Sequence, residues 1–292
     1  MKVLIGKTAG FCYGVQRAFE GAKEEIVNNK ENVYCLGELV HNKQVIAQLE
    51  KLGIKFIDQL NEVKETNSEV IIRAHGVPNN IYDKAKKQGL EIKDFTCPKV
   101  MQVHKIAEEY AQNGYFILLC GKRNHPENIG TISYCGSNYY IIEDENDIEK
   151  SIDALKTSKL KKVLIIAQTT YNVRKFDNIE NIIKEKIEKQ VEIVIKNTIC
   201  RATELRQKET EELSKQVDCM IVIGGKNSSN TTKLYEIAKK NCNSTFHIET
   251  VDELNIAEIK KYNNIGIMAG ASTPKESIEE VIKSIKIEEC MI

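Results

Sequence analysis

At 292 residues the chain is long enough for two or three domains, each with its own core. Lys plus Arg (42) cancels Asp plus Glu (42), which excludes a global field able to hold a nucleic-acid backbone or an anionic membrane. Hydrophobic residues make up 41 %, and no apolar run approaches the roughly 20 residues a membrane-spanning helix needs.

In chain order, six runs rich in Val and Ile each end in small or polar residues and then lead into a stretch of helical period. They start at Val33 (VYCLGELVHNKQV), Val70 (VIIRAHGVPNNIYDKAKK), Phe116 (FILLCGKRNHPENIG), Val163 (VLIIAQTTYNVRKF), Met220 (MIVIGGKNSSNTTKLYEIAKK) and Ile265 (IGIMAGASTPKESIEEVIKSI). That alternation is the pattern of βα units. Runs this apolar are buried on both faces, which predicts parallel sheets in an α/β protein.

The chain also repeats. Cys12, Cys97 and Cys200 each stand where a helix is predicted to begin, and Pro98 suits a first helical turn. The first polar strand-end cluster follows at His41, His125 and Ser228, at offsets of 29, 28 and 28. The second follows at His75, Thr169 and Ser272, at offsets of 63, 72 and 72. Three similar α/β domains are therefore expected, over residues 1–96, 97–196 and 197–292.

Nine cysteines, an odd number, follow a start (MKVLIGKTAGFC) that turns polar too early for a signal peptide. They read as reduced thiols or metal ligands in a cytoplasmic protein rather than as a disulfide framework. A helix N-terminus favours the thiolate, which singles out Cys12, Cys97 and Cys200. Cys35, Cys120 and Cys219 lie in or beside apolar strands and read as small buried hydrophobes, whereas Cys135, Cys242 and Cys290 have no constellation around them. Three equivalent domains about a pseudo-threefold axis would gather three thiolates. Structural zinc wants four ligands, usually in close pairs, and no CxxC occurs. An iron–sulfur cluster assembled from distant segments fits better and would leave one iron of a cubane open to substrate oxygen. Residue types alone leave open a metal-free repeat with three helix-start cysteines.

The strand-end loops offer His41-Asn42, His75-Gly76, His125-Pro126-Glu127, Gln168-Thr169-Thr170, Asn227-Ser228-Ser229-Asn230 and Ala271-Ser272-Thr273. Imidazoles, hydroxyls, an amide and helix-start N–H groups are what a phosphate or diphosphate requires. Glu127 is the one acid among them, and a lone carboxylate in an anion site is suited to moving protons. His104 and His247 read as ordinary. Neither GxGxxG nor GxxxxGK[ST] is present, so electrons must come from outside the usual nucleotide sites.

AGFCYGVQRA, HNKQV, RAHGVP, TCPKV, HPENIG, QTT, TICRATELRQ, GGKNSSNTTKL and AGASTP, spread from residue 8 to residue 275, resemble the 4-hydroxy-3-methylbut-2-enyl diphosphate reductases, the LytB family. The resemblance implies a cloverleaf of three α/β domains around one [4Fe–4S] cluster with one open iron. It implies the last step of the methylerythritol phosphate route to isoprenoids, with an external donor such as ferredoxin or flavodoxin. By motif the cluster ligands are Cys12, Cys97 and Cys200. The diphosphate contacts are His41, His75, His125, Ser228, Ser229, Asn230 and Ser272. Glu127 delivers the proton and Thr169 orients the hydroxyl. Two positions depart from the family pattern: Phe95, where a small residue is usual, and Asn128, where an aliphatic one is common. The competing readings are a non-catalytic iron–sulfur redox sensor, a diphosphate-binding regulatory module, and metal-assisted hydration or dehydration of a hydroxy acid. The last would want Arg or Lys for carboxylates, and the loops offer His, Ser and Asn instead.

Overall fold

In the computed structural model, residues 1–28, 32–65 and 67–287 are described. The chain opens on β1 (Lys2–Ile5) and α1 (Tyr13–Asn28), then runs β2 (Val33–Leu36), α2 (Lys43–Leu52), β3 (Lys55–Ile57), β4 (Glu69–Ile72), α3 (Asn80–Lys87) and β5 (Glu91–Asp94). Next come α4 (Pro98–Gln112), β6 (Phe116–Cys120), α5 (Pro126–Ile132), β7 (Tyr139–Ile142), α6 (Ile148–Ser158), β8 (Lys162–Ala167), α7 (Val173–Lys186) and β9 (Glu192–Ile195). The last part holds α8 (Arg201–Ser214), β10 (Cys219–Ile223), α9 (Ser229–Asn241), β11 (Thr245–Ile248), a short α10 (Ile256–Ile259), β12 (Asn264–Ala269) and α11 (Lys275–Ile287).

The strands form three four-stranded sheets, in the orders β3-β2-β4-β5, β7-β6-β8-β9 and β11-β10-β12-β1, and every pairing is parallel. The six runs read from the sequence are the two inner strands of each sheet. Buried from end to end apart from single exposed or half-buried starts, β2, β4, β6, β8, β10 and β12 must be apolar on both faces. In the second sheet Phe116, Leu118 and Cys120 face the core under α6 and α7, while Ile117 and Leu119 face the core under α4.

The first and second sheets lie in one compact unit, Arg17–Leu39 with Glu50–Cys200, which leaves most of α2 and the start of α1 to the other. The third sheet lies in the other, built from Met1–Gln16, Val40–Leu49 and the chain from Arg201 onward. One strand departs from the contiguous thirds: Lys2–Ile5, at the start of the chain, pairs with Asn264–Ile267 and completes the third sheet. The physical reason is the repeat itself. In each sheet the edge strand beside the second inner strand is the one that runs into the next cysteine, β5 before Cys97, β9 before Cys200 and β1 before Cys12. A chain cut at its cysteines therefore leaves its first edge strand to the last sheet.

Candidate active site

The three cysteines share one local construction. The N–H of Cys97 donates to the Ala74 carbonyl at 3.0 Å, that of Cys200 to Thr169 at 2.9 Å and that of Cys12 to Ala271 at 3.1 Å. Each acceptor stands two residues past an inner strand, β4, β8 or β12. The cysteine then begins a helix: the Met101 N–H donates to the Cys97 carbonyl, Gln16 to Cys12, and Arg201 follows Cys200 at the start of α8. All three thiols are half-buried. The remaining described cysteines are buried, and burial pushes the thiols of Cys135 and Cys219 up to about 12 and those of Cys35 and Cys120 higher still. Cys290 lies outside the described residues. The same register adjusts one sequence match: with Ala74, Thr169 and Ala271 equivalent, Thr170 rather than Thr169 stands level with His75 and Ser272.

The first strand-end loops are equally alike. Gly37, Gly121 and Gly224 each donate their N–H to the last residue of the neighbouring edge strand, Ile57, Ile142 and Ile248. Four residues beyond each glycine come His41, His125 and Ser228. His125 and Ser228 are the N-caps of α5 and α9, taking the Glu127 N–H on Nδ1 at 3.2 Å and the Thr231 N–H on Oγ at 3.3 Å. In the first loop the cap falls one residue later, on Asn42, whose Oδ1 accepts from Gln44 and Val45.

Within the unit of the third sheet, Ser272 Oγ donates to the His41 carbonyl at 3.1 Å, and a Cβ at position 225 would sit 2.6 Å from that same oxygen, so only glycine lets the strand end approach it. Ser228, Ser229, Asn230 and Ser272 are all buried. Both polar atoms of the Asn230 carboxamide are buried without a hydrogen-bond partner among the described residues. Such an amide is suited to a ligand, because it has nothing else to satisfy it.

In the other unit, Glu127 is the second residue of α5 and only 1 % exposed. Its Oε1 accepts the Thr169 N–H at 2.6 Å and its Oε2 accepts the Thr169 hydroxyl at 2.7 Å. Burial raises its pKa to about 7, against the pull of those two donors. A carboxyl poised there can both hold and release a proton at neutral pH. The His125 ring stands edge-on to His75, with centroids 5.5 Å apart. Because Nδ1 of His125 accepts from Glu127, its Nε2 is left to carry the hydrogen and donate.

Two features escaped the sequence reading. The first is the setting of His104, read only as ordinary: it is buried under Gly76 and Gly130, its ring stacks on Tyr134 with centroids 4.8 Å apart, and burial lowers its pKa to about 4. The second is the side chain of Gln168, which bonds to Lys122, Asn128 and Thr170; a glutamine beside a threonine pair in a strand-end loop was the only signal. Phe95 has a local accommodation: a Cβ at position 21 of α1 would lie 2.4 Å from its ring, so Gly21 makes its room, and Arg17 stacks 5.8 Å from its centroid.

Known proteins are similar to the chain over nearly all of its length. A relative from Thermoanaerobacter sp. (strain X514), named 4-hydroxy-3-methylbut-2-enyl diphosphate reductase, is 45 % identical over 288 residues, 98 % of this chain and 97 % of its own. One of the same name from Clostridioides difficile (strain 630) is 44 % identical over 282 residues, 97 % and 98 % of the two chains. Among solved structures, a (E)-4-hydroxy-3-methyl-but-2-enyl diphosphate reductase described as the terminal enzyme of the non-mevalonate pathway superposes with a TM-score of 0.70 at 39 % identity, over 98 % of this chain and 100 % of that one. The E-1-hydroxy-2-methyl-but-2-enyl-4-diphosphate reductase of Plasmodium falciparum gives 0.88 at 32 % identity, over 97 % and 87 %. The family model described as LytB protein matches residues 3–286, every cysteine construction and strand-end loop described above included, and the chain belongs to that family.

Proposed function

We propose that this chain is an iron–sulfur reductase that converts 4-hydroxy-3-methylbut-2-enyl diphosphate to isopentenyl and dimethylallyl diphosphate, the last step of the methylerythritol phosphate route. The observation that carries the reading is the buried Glu127–Thr169 pair, a carboxyl near neutral pKa joined to a hydroxyl, in a family of diphosphate reductases. A redox sensor or a diphosphate-binding module needs no such proton source.

Cys12, Cys97 and Cys200 would hold one [4Fe–4S] cluster with one iron left open. Their fit rests on donor chemistry: three half-buried thiols in one repeated backbone setting at helix starts, while burial holds other thiols of the chain protonated. When bound, the cluster supplies electrons and a Lewis-acidic iron for the substrate hydroxyl.

The chain's own groups do the rest. His41, His75, His125, Ser228, Ser229, Asn230 and Ser272 bind the diphosphate, with His125 offering its Nε2 hydrogen and Asn230 its unpaired amide. The Thr169 hydroxyl orients the alcohol end of the substrate. Glu127 gives the proton with which the hydroxyl leaves as water; two electrons and a second proton complete the new C–H bond. The electrons come from a ferredoxin- or flavodoxin-like donor. No helix among the described residues is long and apolar enough to cross a membrane.

The test is anaerobic purification with iron analysis and a visible spectrum, followed by turnover of the allylic diphosphate with a chemical reductant. About four irons per chain and both five-carbon products are expected. Serine at position 12, 97 or 200 should abolish the brown colour, whereas serine at 35, 120 or 219 should keep it. Iron-replete protein that leaves the diphosphate untouched would end the reading.

A further inference from the structure

We propose that the Asn128 carboxamide is a positioning residue for Glu127, pinning α5 to the loop that carries Thr169; this rests on the reading of Glu127 as proton source. Asn128 is fully buried. Its Nδ2 donates to the Lys122 carbonyl at 2.7 Å and to Gln168 Oε1 at 3.0 Å. Gln168 Oε1 also accepts the Lys122 N–H at 3.2 Å, its Nε2 donates to Thr170 Oγ1 at 2.8 Å, and its own N–H donates to the Cys120 carbonyl at 2.8 Å. Two rungs thus lie side by side: Glu127 with Thr169, and Asn128 with Gln168.

The second rung joins the end of β6, the start of α5 and the loop after β8, the three segments that must stay in register for the first rung to hold. Position 121 is left empty for it. A Cβ there would lie 2.3 Å from Asn128 Nδ2 and 3.0 Å from Gln168 Oε1. The orientation of the amide is fixed by its partners, since a flip would set Oδ1 against two acceptors. Oδ1 itself is buried with no partner among the described residues. An aliphatic side chain of similar volume would avoid that unpaired acceptor, so what the amide contributes is its two donor bonds. A carboxyl that must meet one substrate oxygen tolerates little drift, and Glu127 has its side-chain bonds only to Thr169 among the described residues.

The experiment compares Asn128→Leu with the wild type in the loaded enzyme, reading amide hydrogen exchange at Thr169 and steady-state kinetics, and repeats the kinetics in a Glu127→Gln background. We expect exchange at the Thr169 amide to rise about tenfold, kcat to fall about tenfold and KM to stay within about twofold. In the Glu127→Gln background the same change should move kcat by less than about twofold, because the group it acts through is already gone. Unchanged protection of Thr169, or equal losses of kcat in both backgrounds, would overturn the proposal. If the leucine variant does not fold, Asn128→Ser removes both donor bonds with a smaller, polar side chain, and the same outcomes decide. A wild-type enzyme that fails to turn over the diphosphate would sink the functional reading alone, since the exchange of Thr169 still tests the clamp.

Discussion

The loop that opens α5 and the loop that opens α9 have one backbone plan and opposite chemistry. Each starts at a glycine bonded to the neighbouring edge strand, reaches its N-cap four residues later, and places a polar side chain two residues past the cap. That side chain is Glu127 in one and Asn230 in the other. Glu127 is satisfied from within its own unit by Thr169; the Asn230 amide has no partner among the described residues. In the proposed function, one fold element thus yields the proton donor in one unit and a diphosphate contact in the other. The divergence lies in what the next strand-end loop offers. The loop after β8 brings Thr169, whose N–H and hydroxyl both meet the carboxylate, whereas the equivalent position of the third sheet is Ala271, which has no hydroxyl to offer.

The sharpest way to break the comparison is Glu127→Gln. Glutamine keeps the size, can still accept the Thr169 N–H on its oxygen and can donate to the threonine hydroxyl, but it has no acidic proton. Turnover should fall on the order of 10²-fold or more with KM and iron content near wild type, read by anaerobic steady-state kinetics. Turnover within a few-fold of wild type would remove the acid from the mechanism.

The converse change, Asn230→Asp, writes the acid into the other loop. A carboxylate among Ser228 and Ser229 would face the diphosphate of the proposed substrate with like charge, so KM should rise about tenfold or more while kcat at saturation changes less. If kcat falls instead with KM unmoved, the two loops do not divide proton and anion as their side chains suggest.

Much of this frame was legible in the sequence and some was not, for reasons that lie in particular residues. The inner strands declare themselves because burial on both faces demands unbroken apolar runs such as FILLC and VLIIA. The edge strands β3, β5 and β9 carry Lys55, Glu91 and Glu192 exposed and Lys93 half-buried in ion pairs, and have only three or four residues, so they show neither a run nor a clean alternation. The pairing of β1 with β12 leaves no local mark at all, because parallel partners can be any distance apart in sequence. Glu127 stood out as the lone acid among neutral donors. That it meets Thr169, 42 residues on, needed the sheet that sets β6 beside β8, and the Asn128–Gln168 rung needed it too.

The smallest expected effect is on stability, and its sign follows from the cause of the Glu127 shift. Burial raises the folded-state pKa to about 7 from 4.5, so the protonated side chain is the form the fold prefers. The contribution is therefore fully present below about pH 4.5 and is lost as pH rises through about 7. A shift of that size corresponds to on the order of 3 kcal/mol at alkaline pH. Glutamine at this position is neutral throughout and escapes the loss. In thermal melts of protein in the same cluster state, Glu127→Gln and the wild type should nearly coincide at pH 5, with the variant melting higher at pH 8.5 by a few degrees. Asn230→Asp makes the control: if its new carboxylate is as deeply desolvated, its melting temperature should fall below wild type over the same rise in pH. Parallel melting curves for the wild type and Glu127→Gln from pH 5 to 8.5 would mean that the Thr169 donors offset burial in full, and Glu127 would then be an ordinary carboxylate at neutral pH.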